Sequence, residues 1–145
     1  MTNDRGSQTI LGVAATVFLL ALTLVAASAT QLNRQQVQVK VVADSLALDL
    51  ADLLQYNAKQ LAADPTFVPT SPIEVAPAEL ASLSDGNAGT ASARLRAVQQ
   101  VGLDQMAVTV CAPNRLAGAP IIGGLFRPVL GGEICARAQA QTVLP

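Results

Sequence analysis

The chain has 145 residues, of which 51% are hydrophobic and 13% charged, and its formal net charge is −1. A compact domain alone takes about 100 to 150 residues, which leaves room for one membrane helix and one small domain but not for two folded domains. Basic residues occur singly, which excludes binding to a nucleic-acid backbone. Histidine is absent, so the usual imidazole base and the common zinc ligand sets are missing. We predict a protein that is not an enzyme, holds no cofactor or metal, and has no evident small-molecule substrate.

The first feature along the chain is an apolar segment, Ile10–Thr30, which lies within residues 6–33, where no side chain is charged. A helix needs about 20 apolar residues to cross the hydrocarbon of a bilayer. We therefore predict a transmembrane helix at residues 7–30 in a single-pass protein of the cell membrane. Positive charges flank it on both sides, but the short head at residues 1–6 and a disulfide-compatible tail place the amino terminus in the cytoplasm.

A second interpretation of the same segment is a cleaved secretory signal. The apolar run ends in Ala27-Ser28-Ala29, which has the small-x-small shape that signal peptidase accepts. In that case the mature chain begins at Thr30. The apolar run is longer than the usual signal core of about 7 to 15 residues, and the helical pattern continues beyond it, so we favour the membrane anchor.

Small or hydroxylated residues recur along one side of the predicted span. Such residues let transmembrane helices approach closely, so we predict a packing face for other transmembrane or pilin-like helices in addition to the lipid around the span. The alternative is that each threonine hydroxyl bonds the backbone of its own helix. The residues of this predicted packing face are Thr9, Gly12, Thr16, Thr23 and Thr30.

Beyond the span, residues 31–63 contain neither Gly nor Pro, and their apolar positions keep helical spacing. We predict an extracytoplasmic stalk helix that continues from the span and ends at Asp64-Pro65, because the residue before a proline disfavours helical backbone. Asp49 and Asp52 on this stalk are interpreted as part of a solvated face, since no nucleophile accompanies them.

The next segments predict short elements. Residues 64–89 form a Pro- and Gly-rich connection with a short helix at Ala76–Leu83, and Thr90–Val101 is predicted to be helical because Leu95 and Val98 would share a face.

The tail changes to β-type segments. Met106–Cys111 and Glu133–Val143 are predicted to pair as antiparallel strands, so residues 90–145 form a small domain of a helix and a β-hairpin. The fold class is therefore α+β, with a long N-terminal transmembrane and stalk helix.

The two cysteines, Cys111 and Cys135, are predicted to form a disulfide, with two free buried thiols as the alternative. The bond would close a loop of about 25 residues and stabilise the fold by about 3 kcal/mol. The loop carries an apolar tip that either folds back onto the sheet or is offered to a partner. This tip consists of Ile121, Ile122, Leu125 and Phe126.

Three stretches together resemble a known family: Asp4–Ile10 before the apolar helix, Val42–Leu48 on the stalk, and Cys135–Ala140 in the terminal strand. In this order they are similar to the actinobacterial TadE-like proteins of tight-adherence (Flp pilus) systems. The resemblance implies a minor pilin or pseudopilin whose leader would be cut between Gly6 and Ser7.

The sequence departs from this family at one functional position. Processed pilins of this kind carry a glutamate at the fifth mature position, where this chain has Leu11. Without that carboxylate the usual pairing with a neighbouring amino terminus cannot form. The resemblance therefore implies an accessory, pilus-associated role, and the alternative hypothesis is a secreted or anchored extracytoplasmic binding protein with a cleaved signal segment.

Overall fold

The computed structural model describes residues 4–85, 90, 92–102, 105–118 and 131–141. These residues form two compact units, Met1–Asn33 and Arg34–Pro145. The second unit is called the head domain below. The predicted class, α+β with a long apolar N-terminal helix, agrees with this architecture.

Helix α1 runs from Asp4 to Ala63, 60 residues without interruption. No Gly or Pro lies between Gly12 and Ala63, so nothing in the sequence breaks the hydrogen-bond ladder over this length. The helix ends as predicted before Asp64-Pro65. The Asp64 carboxylate accepts hydrogen bonds from the backbone N–H and the hydroxyl of Thr66, at 2.9 and 2.7 Å, and this turn carries the chain away from the helix.

Helix α2 runs from Pro72 to Ser84. The predicted helix at Ala76–Leu83 is therefore correct in type but begins four residues too late. Proline is favourable in the first helical turn, where its missing N–H is not needed, and Ser71 lies just before it with extended backbone. The predicted connection at residues 64–89 thus contains a helix of 13 residues.

The sheet has three antiparallel strands in the order β1-β2-β3: Arg94–Gln100, Gln105–Pro113 and Glu133–Gln141. The predicted antiparallel pairing of the last two strands is confirmed, although β2 is longer than predicted. Residues 142 and 143 of the predicted terminal strand lie outside the described residues. A short 3-10 helix, Arg115–Gly118, follows β2.

The predicted helix at Thr90–Val101 is wrong, because this segment contains β1. A β-bulge lies between Leu95 and Ala97, where the register shifts by one residue. The extra residue, Arg96, lets Leu95 and Val98 both lie on the core side, although a regular strand would place them on opposite faces. The spacing of three residues between Leu95 and Val98 therefore resembled a helical period. The predicted two-stranded hairpin is part of a three-stranded sheet.

The core of the head domain lies between one side of α1 and one face of the sheet. The middle residue of this helix side, Leu46, is fully buried, as are Met106, Val108 and Val110 of the central strand β2. Helix α2 contributes Ala76 and Leu80. The remaining buried core residues are small or branched: Val39, Val42, Ala43, Ala47, Leu50, Ala112 and Ala138.

Candidate functional site

The N-terminal part of α1 contains one stretch that is long and apolar enough to span a bilayer. Its large side chains, such as Ile10, Phe18 and Leu20, are exposed along this unit. A surface of this size with no charged group is unfavourable in water and favourable in lipid or against other apolar helices. By length and composition, this stretch is sufficient for one membrane span.

Three threonines of the predicted packing face form hydrogen bonds within their own helix. Thr16, Thr23 and Thr30 donate hydrogen bonds to the carbonyl oxygens of Val13, Leu20 and Ala26, at 2.8, 2.9 and 3.0 Å. These bonds are those of the alternative interpretation, in which each threonine hydroxyl bonds the backbone of its own helix.

Beyond its chain neighbours and the backbone of its own helix turn, Gly12 on the predicted packing face has no atom within 4 Å of the position that a Cβ would occupy. Thr9 also lies in the exposed part of α1. The small size of these side chains leaves the face open, so the role of Thr9, Gly12, Thr16, Thr23 and Thr30 in helix packing stays a prediction that rests on size and not on hydroxyl bonds across the contact.

The two predicted cleavage positions both lie in continuous helix. Gly6 and Ser7 belong to the first turns of α1, and Ala27–Ala29 lies in its interior. The Ser28 hydroxyl donates to the Leu24 carbonyl oxygen at 2.8 Å, as expected within a helix. Cleavage at either position stays a prediction, because an apolar helix near the amino terminus suits a membrane anchor and a signal sequence alike.

Cys111 and Cys135 form the disulfide that the sequence predicts. The two residues lie directly opposite each other on β2 and β3, and their Cα atoms are 4.0 Å apart. Cys111 is buried and Cys135 exposed. The bond therefore joins the central strand to its neighbour and closes the loop between them at its base.

Glu133 adds a carboxylate beside this disulfide. Its oxygen and the two sulfur atoms lie within 4.8 Å of one another, a spacing that three metal ligands could share. Sulfur binds metals as a thiolate, and both sulfurs are bonded to each other here. The arrangement is that of a structural disulfide with a neighbouring acid.

Asp49 and Asp52 line a shallow groove between α1 and α2. The groove is completed by Glu79 and by the apolar side chains of Leu53 and Val75. The lining contains three carboxylates but no nucleophile and no basic side chain, so it does not provide a catalytic acid together with a catalytic base. Their placement agrees with the solvated face that the sequence indicates.

Two buried amides were missed from the sequence, and both hold connecting backbone in place. Gln35 Nε2 donates to the carbonyl oxygen of Pro113 at 2.7 Å, and Gln35 Oε1 accepts from the N–H of Arg115 at 3.4 Å. Asn57 makes the same pair of bonds to one residue, Thr70, at 2.7 and 3.4 Å. A Gln or an Asn within a helical sequence pattern does not indicate which distant backbone group its side chain will bond.

The predicted apolar tip, Ile121, Ile122, Leu125 and Phe126, lies outside the described residues. The structure therefore describes the base of this loop, at Pro113 to Gly118 and from Gly131 onward. Asn114 begins the 3-10 helix by accepting the Leu116 N–H at 3.0 Å.

Comparison with known proteins adds no relative. No protein-family model, no curated protein and no solved structure matches this chain. The functional conclusion must therefore come from the geometry of the two units and from the sequence.

Proposed function

We propose that this protein is a non-enzymatic, membrane-anchored, TadE-like pseudopilin, an accessory or minor component of a tight-adherence pilus or a related secretion apparatus. The amino terminus lies in the cytoplasm, and the head domain lies outside the cell membrane. The protein acts through contacts of its helix and head domain with other subunits.

The observation that carries this proposal is the difference between the two parts of α1. In the first unit the helix exposes apolar side chains over a stretch long enough for a bilayer. In the head domain the same helix carries the core residues of a small α+β structure. A subunit built in this way has a membrane part and a displayed part on one element, which suits a component that is held in a membrane while it contacts an assembly.

The disulfide supports the proposed location. A bond between Cys111 and Cys135 persists in an oxidising compartment and is rare in the cytosol. The head domain buries a core drawn mainly from one side of one helix and one face of three strands, so a covalent link of about 3 kcal/mol is a large share of its stability.

An accessory role follows from Leu11. This position, the fifth after the proposed Gly6–Ser7 bond, carries an exposed apolar side chain and no carboxylate. A subunit without that acid cannot neutralise a neighbouring amino terminus inside an apolar filament core, where an unpaired charge is costly.

The first test is the location and the mature amino terminus of the full chain in its host. We expect the protein in the membrane fraction, resistant to alkaline extraction, with the head domain accessible to protease from the outside. Mass spectrometry should give an intact amino terminus or one at Ser7. A mature chain that starts at Thr30 and is released from the membrane would instead support the secreted binding protein.

A matched variant sharpens this test. Ala29→Leu places a large side chain where signal peptidase requires a small one, but it leaves an apolar helix intact. The anchor predicts the same mass, apart from the substitution, and the same fractionation as the wild type. The secreted alternative predicts that this variant alone retains the apolar segment.

The second test concerns the apparatus. Deletion of the gene should reduce surface filaments or secretion, and the tagged full chain should copurify with a pilus-platform membrane protein or a secretion ATPase. Normal filaments after deletion, together with copurification of neither protein, would contradict the pilus role while leaving the membrane anchor standing.

A further inference from the structure

Strand β3 is an open edge of the sheet in the described part of the chain. The strand order β1-β2-β3 gives it a neighbouring strand on one side only. Its nine residues, Glu133–Gln141, pair with β2 without a bulge, and the strand contains no proline. A long, regular edge strand of this kind presents a row of N–H and C=O groups to which a further strand can bond.

The opposite edge of the sheet, β1, has two features that hinder strand addition. The bulge at Arg96 interrupts the regular row of backbone groups, and helix α2 lies against this strand. Bulges and covering helices are common means by which proteins protect a sheet edge. Of the two edges, β3 is therefore the one that can accept another strand.

The two cysteines show which backbone groups of β3 face the open edge. In an antiparallel sheet, opposite residues alternate between hydrogen-bonded pairs, with Cα atoms about 5.5 Å apart, and closer pairs at about 4.5 Å that share no such bonds. Cys111 and Cys135 stand opposite each other at 4.0 Å, so they form a close pair. The N–H and C=O of Cys135 therefore point away from β2. This direction recurs at every second residue, hence also at Glu133, Arg137 and Gln139.

The side chains at these outward-bonding positions are self-complementary in charge. Glu133 and Arg137 are the charged residues of β3, and both are exposed. Strand β2 carries no charged residue, and Arg94 lies on β1, two strand spacings or about 10 Å from β3. Arg115 lies past the end of β2, in the 3-10 helix, and belongs to neither strand.

This charge pattern selects one register for the pairing of β3 with itself. An antiparallel copy centred on Cys135 places Glu133 opposite Arg137 of the copy, and Arg137 opposite Glu133 of the copy. Opposite charges that face each other across two strands are stabilising. A pairing centred on Arg137 would instead place two arginines opposite each other, which is destabilising.

We propose that β3 binds β3 of a second copy as an antiparallel strand centred on Cys135, so that the two three-stranded sheets become one continuous sheet. The central pair and the two Glu133–Arg137 pairs each exchange both backbone hydrogen bonds, and the opposite charges lie on the same face of the joined sheet. Because both copies use the same residues, the contact is isologous and closes at two copies.

The symmetry of this pair determines which copies can meet. Its two-fold axis is perpendicular to the sheet, so α1, which packs along the sheet, runs in the opposite direction in the second copy. Copies anchored in one membrane present α1 in the same direction, so the contact joins copies on two facing membranes. This inference rests on the proposed function for the membrane anchor and goes beyond it by naming a second copy as the partner.

The test uses the full chain, first in detergent micelles and then in phospholipid vesicles with the head domain outside. In micelles, energy transfer between two fluorescently labelled preparations measures the contact itself. In vesicles, light scattering measures clustering between membranes. We expect association in micelles at about 100 μM. Vesicles should cluster at a lower protein concentration, because many copies act together.

Charge variants distinguish the proposed register from a general attraction. Glu133→Arg alone, or Arg137→Glu alone, places like charges opposite each other, and each variant should associate at least about tenfold more weakly than the wild type. The double variant Glu133→Arg/Arg137→Glu restores two opposite pairs and should associate like the wild type. A mixture of the two single variants should also associate, since each supplies the charge that the other lacks.

A matched control is Arg94→Glu, which makes the same change of charge as Arg137→Glu but on β1. Its side chain lies beyond the screening length of about 8 Å from β3, so association should stay within about threefold of the wild type. Formation of the disulfide in every variant verifies the fold, and association of the double variant excludes unfolding as the cause of a loss.

Hydrogen exchange tests the backbone bonds directly. On association, the amide protons of Cys135 and Arg137 should exchange at least about tenfold more slowly, because they then bond the second copy. The amide proton of Ala136, which points toward β2, should change little. A contact made by side chains alone would not produce this alternation.

Four results would each overturn the proposal. They are a wild-type chain that stays monomeric at about 100 μM, a single variant that associates like the wild type, a double variant that does not associate, and outward amides whose exchange is unchanged. Association in micelles without clustering of vesicles would overturn the facing-membrane geometry. No pilus component is present in these assays, so their outcome is independent of the filament and platform tests above.

Discussion

Leu46 and Leu48 provide the sharpest test of the packing described here, because they are the same residue on the same helix in opposite environments. Leu46 is 0% exposed against the sheet, whereas Leu48 is 55% exposed on the opposite side of the helix. Substitution by alanine changes helix propensity by only a few tenths of a kcal/mol at either position. Any larger difference between the two variants must come from burial.

The expected magnitudes follow from that burial. Leu46→Ala removes a fully buried side chain and leaves a cavity, which costs about 3 to 5 kcal/mol in a core that cannot collapse around it. Leu48→Ala removes a half-exposed side chain and should cost less than about 1 kcal/mol. With a urea dependence of about 1.5 kcal/mol per M, the Leu46 variant should unfold about 2 to 3 M earlier or fail to fold, and the Leu48 variant within about 0.7 M of the wild type.

The assay is urea unfolding of the head domain in the full chain, held in mild detergent. Hydrogen exchange of the β2 and β3 amides reports the head domain and is insensitive to the apolar helix. Equal midpoints for the two variants would refute the assignment of the covered side of α1. A larger loss for Leu48→Ala than for Leu46→Ala would reverse it.

Three further predictions concern bonds outside the apolar core. Cys111→Ala/Cys135→Ala should destabilise the head domain by about 3 kcal/mol in the same urea assay, and excess dithiol should have no effect on this variant while it weakens the wild type. Gln35→Leu should cost about 1 to 3 kcal/mol, because it leaves the Pro113 carbonyl and the Arg115 N–H without their partner; a stability equal to the wild type would show that these bonds are not maintained in solution. The hydroxyl and the N–H of Thr66 hold the pKa of Asp64 below its usual 3.8, so its contribution is present above that pH and is lost as the pH falls through the lower, folded value. Asp64→Asn should remove this part of the acid dependence, and an unchanged pH profile between about 2 and 5 would contradict it.

The sequence by itself determined the features that depend on local composition. An uncharged apolar run of about 20 residues predicts an element for lipid, and Asp64-Pro65 predicts the end of a helix, because both follow from solvation and backbone sterics near the residues concerned. The β-type composition of two segments predicted β2 and β3. Two cysteines in a chain expected to leave the cytoplasm predicted the disulfide.

Only the tertiary structure decided the features that depend on distant partners. Strand β1 read as a helix because a bulge at Arg96 turns Leu95 and Val98 to the same side, and a bulge is stabilised by the neighbouring strand and not by its own sequence. Gln35 and Asn57 are buried because backbone far along the chain receives their hydrogen bonds.

The same holds for the two sides of α1. Leu46 and Leu48 are chemically identical. The helical spacing of apolar residues on the stalk includes Leu46, but it does not say what covers the side that carries Leu48. The sheet covers the side that carries Leu46 and leaves Val41 and Leu48 exposed beside Asp44 and Asp52. Burial is a property of what packs against a residue, so the extent to which each side of α1 is covered was decided only by the strands that pack on it.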